Sequence, residues 1–193
     1  MNCEYLEKLL YIRFDDVSRA MVEQYTSRVH FKKGFTVLRK GEQGLNLYAM
    51  LKGIIRGYYI DDQGNDITKC FCMENGVFAT ERLRTKEPFS YTIECLEDCE
   101  CIKIPYDLVS RMMEENSEVR NTINNYFIQE IAKLESRIKD LVMKTAEERY
   151  NDFCNEFPGL HNRVPLKYIA SYIGVRIPSL SRIRKNRSLS LKD

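Results

Sequence analysis

The chain has 193 residues, 44% of them apolar, with 30 Lys and Arg against 28 Asp and Glu for a net charge of +2. That is enough chain for one large domain, or a medium one with a small companion, and enough apolar content for a real core. The near-zero net charge excludes any argument from a global field, so only the distribution of charge can point to a partner.

The first segment, "MNCEYLEKLLYIRFDD", carries Glu4, Glu7 and Lys8 among its apolar residues and lacks the apolar block of a signal peptide. No run of about 18 apolar residues exists to span a membrane. The expectation is a cytoplasmic protein with no membrane partner. Residues 4–29 carry apolar groups at helical spacing: Leu6, Leu9 or Leu10, Val17, Met21 and Tyr25.

From His30 the pattern changes. "FKKGFTVLRKGEQG" has short apolar runs broken by Gly34, Gly41 and Gly44, and "LNLYAMLKG" alternates. "IIRGYYIDDQGNDITKCFCM" reads as two strands joined by a turn over 61–65, and "YTIECLEDCECIKIP" as two more around Glu97 and Asp98. Short strands at this spacing predict a compact β-barrel or sandwich.

The seven cysteines are Cys3, Cys70, Cys72, Cys95, Cys99, Cys101 and Cys154. An odd count in a cytoplasmic setting argues against a disulfide framework. Cys70 with Cys72, and Cys99 with Cys101, share strand faces and read as small buried hydrophobes. Two CxxC pairs of the zinc type are absent.

After Pro105 the glycines vanish until Gly159, and the sequence is helical with a break near Asn116 and Ser117. Phe127, Ile131, Leu134, Ile138 and Leu141 step by 4, 3, 4 and 3, a heptad seam with isoleucine at a and leucine or phenylalanine at d. β-branched a positions with leucine at d favour a parallel two-stranded pair, so this helix is expected to form a homodimer interface. "FPGLHNRVP" reads as a loop.

Residues 161–193 hold eight basic residues (Arg163, Lys167, Arg176, Arg182, Arg184, Lys185, Arg187 and Lys192) and one acid, Asp193. That is net +7, leaving −5 on the preceding 160 residues, so only the tail is suited to a polyanion. Within it lies "LKYIASYIGVRIPSLSRIRKN". Ala170 gives the small contact that two crossing helices need, Gly174 the tight turn, and Ile169, Ile173, Val175, Leu180 and Ile183 a shared core. Pro178 suits the first turn of the second helix. Ser179, Arg182 and Asn186 then face outward, in the manner of a helix that enters a major groove, with Arg176, Arg184, Lys185 and Arg187 placed for flanking phosphates. No nucleophile–base pair, glycine-rich phosphate loop or histidine cluster supports an enzyme. The competing reading is a ligand-binding barrel whose helical tail contacts protein.

The stretches "FTVLRKGEQGLNLYAMLKGIIRGYY", "TAEERYNDF" and "VPLKYIASYIGVRIPSLSRIRK" resemble the Crp/Fnr family of bacterial transcription regulators, over nearly the whole chain. Within it, "SLSRIRK" so near the end resembles the branch common in Bacteroidetes and related gut anaerobes. The resemblance implies an α+β fold: a cyclic-nucleotide-binding-like jelly roll with N-terminal helices over 1–115, a dimerisation helix over 116–144 and a helix-turn-helix domain over 145–193. It implies double-stranded DNA as partner, with Ile177, Pro178, Ser179 and above all Arg182 at base edges. RNA polymerase is a candidate further partner.

In family members that bind cyclic AMP, a Gly-Glu pair is followed about ten residues later by Arg-Ser or Arg-Thr, whose arginine neutralises the phosphate. Here the segment is "GVFATERLRTKEPFSYTIE". Phe89 stands at the arginine position beside a retained Ser90, and Phe78-Ala79 or a shifted Thr80-Glu81 at the Gly-Glu position. An unpaired buried phosphate is expensive, so cyclic AMP is not expected as ligand; Arg82, Arg84 and Lys86 are the alternative counter-charges. The effector pocket is expected around Phe78, Ala79, Thr80, Phe89, Ser90 and Tyr91, either holding another small molecule or filled by its own side chains. With only Cys3 near the start and only His30 and His161 in the chain, an iron–sulfur cluster or haem is not expected, and no cofactor or metal is predicted.

Overall fold

A computed structural model describes the backbone of residues 2–190 and the side chains of residues 2–186. Lys192 and Asp193 and the side chain of Arg187, part of the basic tail counted above, lie outside the described residues. In chain order the elements are α1 (Asn2–Leu10), α2 (Asp16–Tyr25), β1 (Ser27–Phe31), β2 (Thr36–Leu38), β3 (Asn46–Lys52), β4 (Ile55–Ile60), β5 (Asp66–Cys72), β6 (Val77–Phe78), α3 (Glu81–Thr85), β7 (Thr92–Cys95), β8 (Cys99–Pro105), α4 (Tyr106–Glu115), α5 (Ser117–Met143), α6 (Ala146–Glu156), α7 (Leu166–Tyr172) and α8 (Ile177–Ser190).

Two four-stranded sheets, ordered β1-β8-β3-β6 and β2-β7-β4-β5, face each other as an antiparallel jelly roll. The alternation of side chains along β3 and β8 sorts their residues into two cores. Tyr48, Met50, Cys99 and Cys101 join Leu38, Ile55, Phe78, Phe89, Tyr91, Ile93 and Cys95 inside the barrel. Leu47, Ala49, Ile102 and Ile104 face the other way, onto Leu6, Val22, Leu108, Met112 and Val119 of the helices. Because β3 is covered on both faces, the four residues from Leu47 to Met50 are all buried. Arg56 is 1% exposed and is paired across the strands with Glu94, Nε to Oε1 at 2.9 Å.

The helical spacing read over residues 4–29 becomes two helices, and its last residues join a strand. The chain breaks at Tyr11 (φ 55°), Asp15 caps α2 by accepting from the Ser18 amide at 2.7 Å, and residues 27–31 pair with β8. The buried stripe of α2 is Ser18 and Val22, while Val17 and Tyr25 are exposed. The aromatic and β-branched content of "SRVHF" fits a strand, and its pairing with β8 outweighs the helical spacing that precedes it.

The described residues fall into two compact units. One holds those up to Tyr59 and from Cys70 to Gln129; the other holds Ile60–Lys69 and everything from Glu130 on. The helix expected over 116–144 is therefore shared between the units, and the tip of the β4–β5 hairpin groups with the C-terminal helices. The tip's turn is held by Asp61, whose carboxylate accepts from the amides of Gln63 (2.9 Å) and Asn65 (2.8 Å).

Candidate nucleic-acid interface

The C-terminal unit is built around a small core. Thr145 caps α6 in a reciprocal capping box with Glu148, which places Tyr150 and Phe153 inward. A 3-10 turn at Leu160–Asn162 buries Leu160 completely, where the sequence suggested only a loop. Phe153, Phe157 and Tyr172 pack ring against ring with centroids 5.4–5.8 Å apart. Onto this base dock α7 and α8, with Ile169, Ala170, Ile173 and Leu180 each no more than 3% exposed. Val175 and Ile183, expected in the same core, are half-buried.

The turn between α7 and α8 runs through Gly174 at φ 68°, a left-handed conformation open to glycine at little cost. The Val175 amide donates back to the Ala170 carbonyl at 2.9 Å and closes the α7 end. A Cβ at Gly174 would also meet Leu141 Cδ2 at 3.0 Å, so the last seam residue of α5 lies against this turn.

Beyond the turn, Arg176, Ile177, Pro178, Arg182 and Lys185 are exposed, while Ser179 and Arg184 are half-buried. At 3.6 residues per turn, Arg182 and Lys185 lie about 60° apart on one face, whereas Arg184 lies roughly 160° from Arg182. The structure therefore brings Ser179, Arg182, Lys185 and Asn186 together on the outer face and sets Arg184 on the flank of the core. No described acidic residue lies on α8.

Two arginines outside the expected set hold this unit together. α7 has no basic residue in its last turn, so its terminal carbonyls need outside donors. Arg137 donates to the Tyr172 carbonyl at 2.9 Å, to the carbonyls of Lys69 and Thr68, and stacks on the Tyr172 ring at 4.0 Å. Arg149 donates to the Ile173 carbonyl at 2.7 Å and to the Lys144 carbonyl. Lys144 in turn pairs with Asp140 (3.0 Å) and Asp152 (2.8 Å), which hold its ammonium above the ordinary lysine range, Asp152 foremost. α7 lacks a cation of its own at that end, but nothing local in the sequence points to Arg137 or Arg149 as its replacement.

The residues expected at an effector pocket do not share one site. Phe78, Ala79, Phe89 and Tyr91 are 5%, 1%, 1% and 6% exposed within the barrel core, and burial pushes the Tyr91 hydroxyl far up. Thr80 lines a different, apolar cavity beside the helices, and Ser90 is at the surface. Of the alternative counter-charges, Arg82 donates to the Gly44 carbonyl at 2.7 Å and Arg84 stacks over Phe127.

Residues 28–116 match the cyclic nucleotide-binding domain family. The chain is 27% identical over 172 residues to the nitrogen fixation regulation protein FixK of Bradyrhizobium diazoefficiens, covering 83% of this chain and 71% of that one. It is 23% identical over 176 residues to the fumarate and nitrate reduction regulatory protein of Vibrio cholerae, covering 83% and 70%. In fold it matches FixK2 from Bradyrhizobium japonicum with a TM-score of 0.77 at 17% identity, over 86% of this chain and 85% of that one. It matches the regulator CLP of Xanthomonas campestris with a TM-score of 0.71 at 12% identity, over 91% and 93%.

These comparisons support a regulator of the Crp/Fnr type. The chain shares a cyclic-nucleotide-binding-like jelly roll and a C-terminal helical region with solved regulators of that type. Those relatives are regulators, not enzymes. None of the described helices is long and apolar enough to cross a membrane.

Proposed function

We propose that this Crp/Fnr regulator works in the cytoplasm as a homodimer that reads a palindromic DNA site with α8 and contacts RNA polymerase from the bound site. The observation that carries the reading is the outer face of α8, where Arg182 and Lys185 project together behind a left-handed turn. In this reading Arg182 bonds a guanine edge in the major groove, with Ile177, Pro178 and Ser179 beside it. Arg176 and Lys185 meet phosphates, Arg184 reaching them from the flank.

The dimer seam is the apolar edge of α5. Ile131, Leu134, Ile138 and Leu141 are 47%, 44%, 64% and 43% exposed, a strip that a second copy would cover, with Phe127 at its half-buried start. Two-fold pairing would set the two α8 helices one DNA turn, about 34 Å, apart.

Cyclic AMP is not the effector in this reading. Phe89 fills barrel space where a phosphate would need an arginine, and the Ser90 donors are already taken by Glu81. Selection of bound duplexes from a random pool tests the reading. It predicts a two-fold symmetric site and a log K that falls with log salt by about 0.9 per phosphate neutralised. A pool that stays random, with binding flat in salt, would overturn it.

A further inference from the structure

In the first unit, an apolar cavity of about 90 Å³ lies between the outward face of the β3–β8 sheet and the helices. Its lining includes Leu6, Leu47 and Met112, together with Val119, Ile123 and Phe127 of α5, and presents no polar surface. The volume is about three times the share of a water molecule in the liquid, so an apolar tail of about three or four carbons fits and water has no partner there.

The cavity adjoins a wider surface hollow of about 500 Å³ lined by Leu83, Ser110, Met113, Glu114, Arg120 and Phe127. Leu83 and Phe127 belong to both and form the boundary. The hollow's lining carries one cation, Arg120, and one acid, Glu114, and Arg84 adds a second cation beside Phe127 at its edge. Arg120 donates to the Met113 and Glu114 carbonyls, and the Arg84 guanidinium stacks 5.8 Å from the Phe127 ring centroid. Neither arginine makes an ion pair among the described residues; Glu114 is the single acid of the lining.

Leu83 sits on α3, a five-residue helix flanked by Ala79 and Lys86, both left-handed at φ 60°. Left-handed backbone at two non-glycine residues is a cost that recurs at ligand clamps and switch segments. An apolar cavity, a mouth flanked by Arg84 and Arg120, and a strained helix at the boundary thus coincide.

We propose that this cavity and its mouth bind a short-chain monocarboxylate, its hydrocarbon tail inside and its carboxylate in the hollow served by Arg84 and Arg120. The site is distinct from the barrel interior, where Phe78, Phe89 and Tyr91 are packed. An effector role for this ligand rests on the regulator reading; binding does not, because it can be read without DNA.

Calorimetry on the full chain with acetate, propionate, butyrate, pentanoate and octanoate tests it, with 1-butanol as the uncharged control. Affinity should rise about fourfold per methylene from acetate to the chain length that fills the cavity, then stop rising. 1-Butanol should bind at least tenfold more weakly than butyrate. Val119→Phe, which fills the cavity, should abolish binding. Should that variant fail to fold, Arg84→Gln with Arg120→Gln changes only exposed side chains and should weaken butyrate tenfold or more. Affinity independent of chain length, butanol binding as tightly as butyrate, or an undiminished double variant would overturn the proposal.

Discussion

The carboxylate of Glu81 accepts two hydrogen bonds from Ser90, one from its hydroxyl at 2.6 Å and one from its backbone amide at 3.1 Å. Ser90 stands where the resemblance places the second half of the Arg-Ser pair of cyclic-AMP binders, and its neighbour Phe89 is turned into the barrel. The Phe89 ring is so close to Gly44 that a Cβ there would meet it at 2.7 Å. The segment supplies its own anion to Ser90 and its own apolar filling to the barrel.

Phe89 is therefore a structural residue. Phe89→Ala should cost about 3–5 kcal/mol of stability, since it leaves a ring-sized void in a closed core. Urea unfolding checks this. Neither that variant nor the parent should gain thermal stability from added cyclic AMP.

Arg137 ties the hairpin tip to the end of α7. Arg137→Gln keeps a hydrogen-bonding side chain but loses the charge and the stacking on Tyr172. Hydrogen bonds from a charged donor contribute about 1.5–3 kcal/mol. Amide exchange around Thr68, whose N–H donates to Ser171 Oγ at 2.8 Å, should accelerate roughly ten- to a hundredfold. Exchange in the β1–β8 pairing should stay unchanged.

Gly174→Ala places a side chain in left-handed backbone and against Leu141. The backbone part should cost about 1–2 kcal/mol in thermal unfolding. Leu141→Ala in the Gly174→Ala background should relieve only the part due to the 3.0 Å contact, and the remainder measures the turn itself.

Glu148 in the α6 capping box is held below the ordinary carboxylate range by its hydrogen bonds with Thr145, the backbone amide first. A carboxylate lowered on folding contributes stability that is full above its unfolded pKa, about 4.3, and is lost as pH falls through its lower folded value. The gap in melting temperature between the parent and Glu148→Gln should be constant near neutral pH and close below about pH 4. A gap that persists at pH 2 would contradict the assignment.

The sequence carried most of what local chemistry decides. Gly174, Ala170 and the apolar spacing around them mark the helical hairpin because each answers a local steric demand, and Asp61 and Asn65 mark their turn for the same reason. Long-range pairing was less legible. "SRVHF" becomes a strand only because β8 pairs with it, and Val22 rather than Val17 faces the core because the capped start of α2 sets its phase. No local pattern marks Arg137 and Arg149, since their carbonyl partners at 68, 69, 172 and 173 are remote in sequence. The apolar cavity was invisible for a similar reason: its walls come from α1 to α5 and from β3, β6 and β8, and no local pattern records a void.

The central claim is that α8 reads DNA through Arg182, and the direct measurement compares Arg182→Ala with the parent on a selected palindrome and on random duplex at fixed salt. The account predicts a loss of about 1–3 kcal/mol on the palindrome with binding to random duplex nearly unchanged. Equal losses on both duplexes, or none on either, would contradict it.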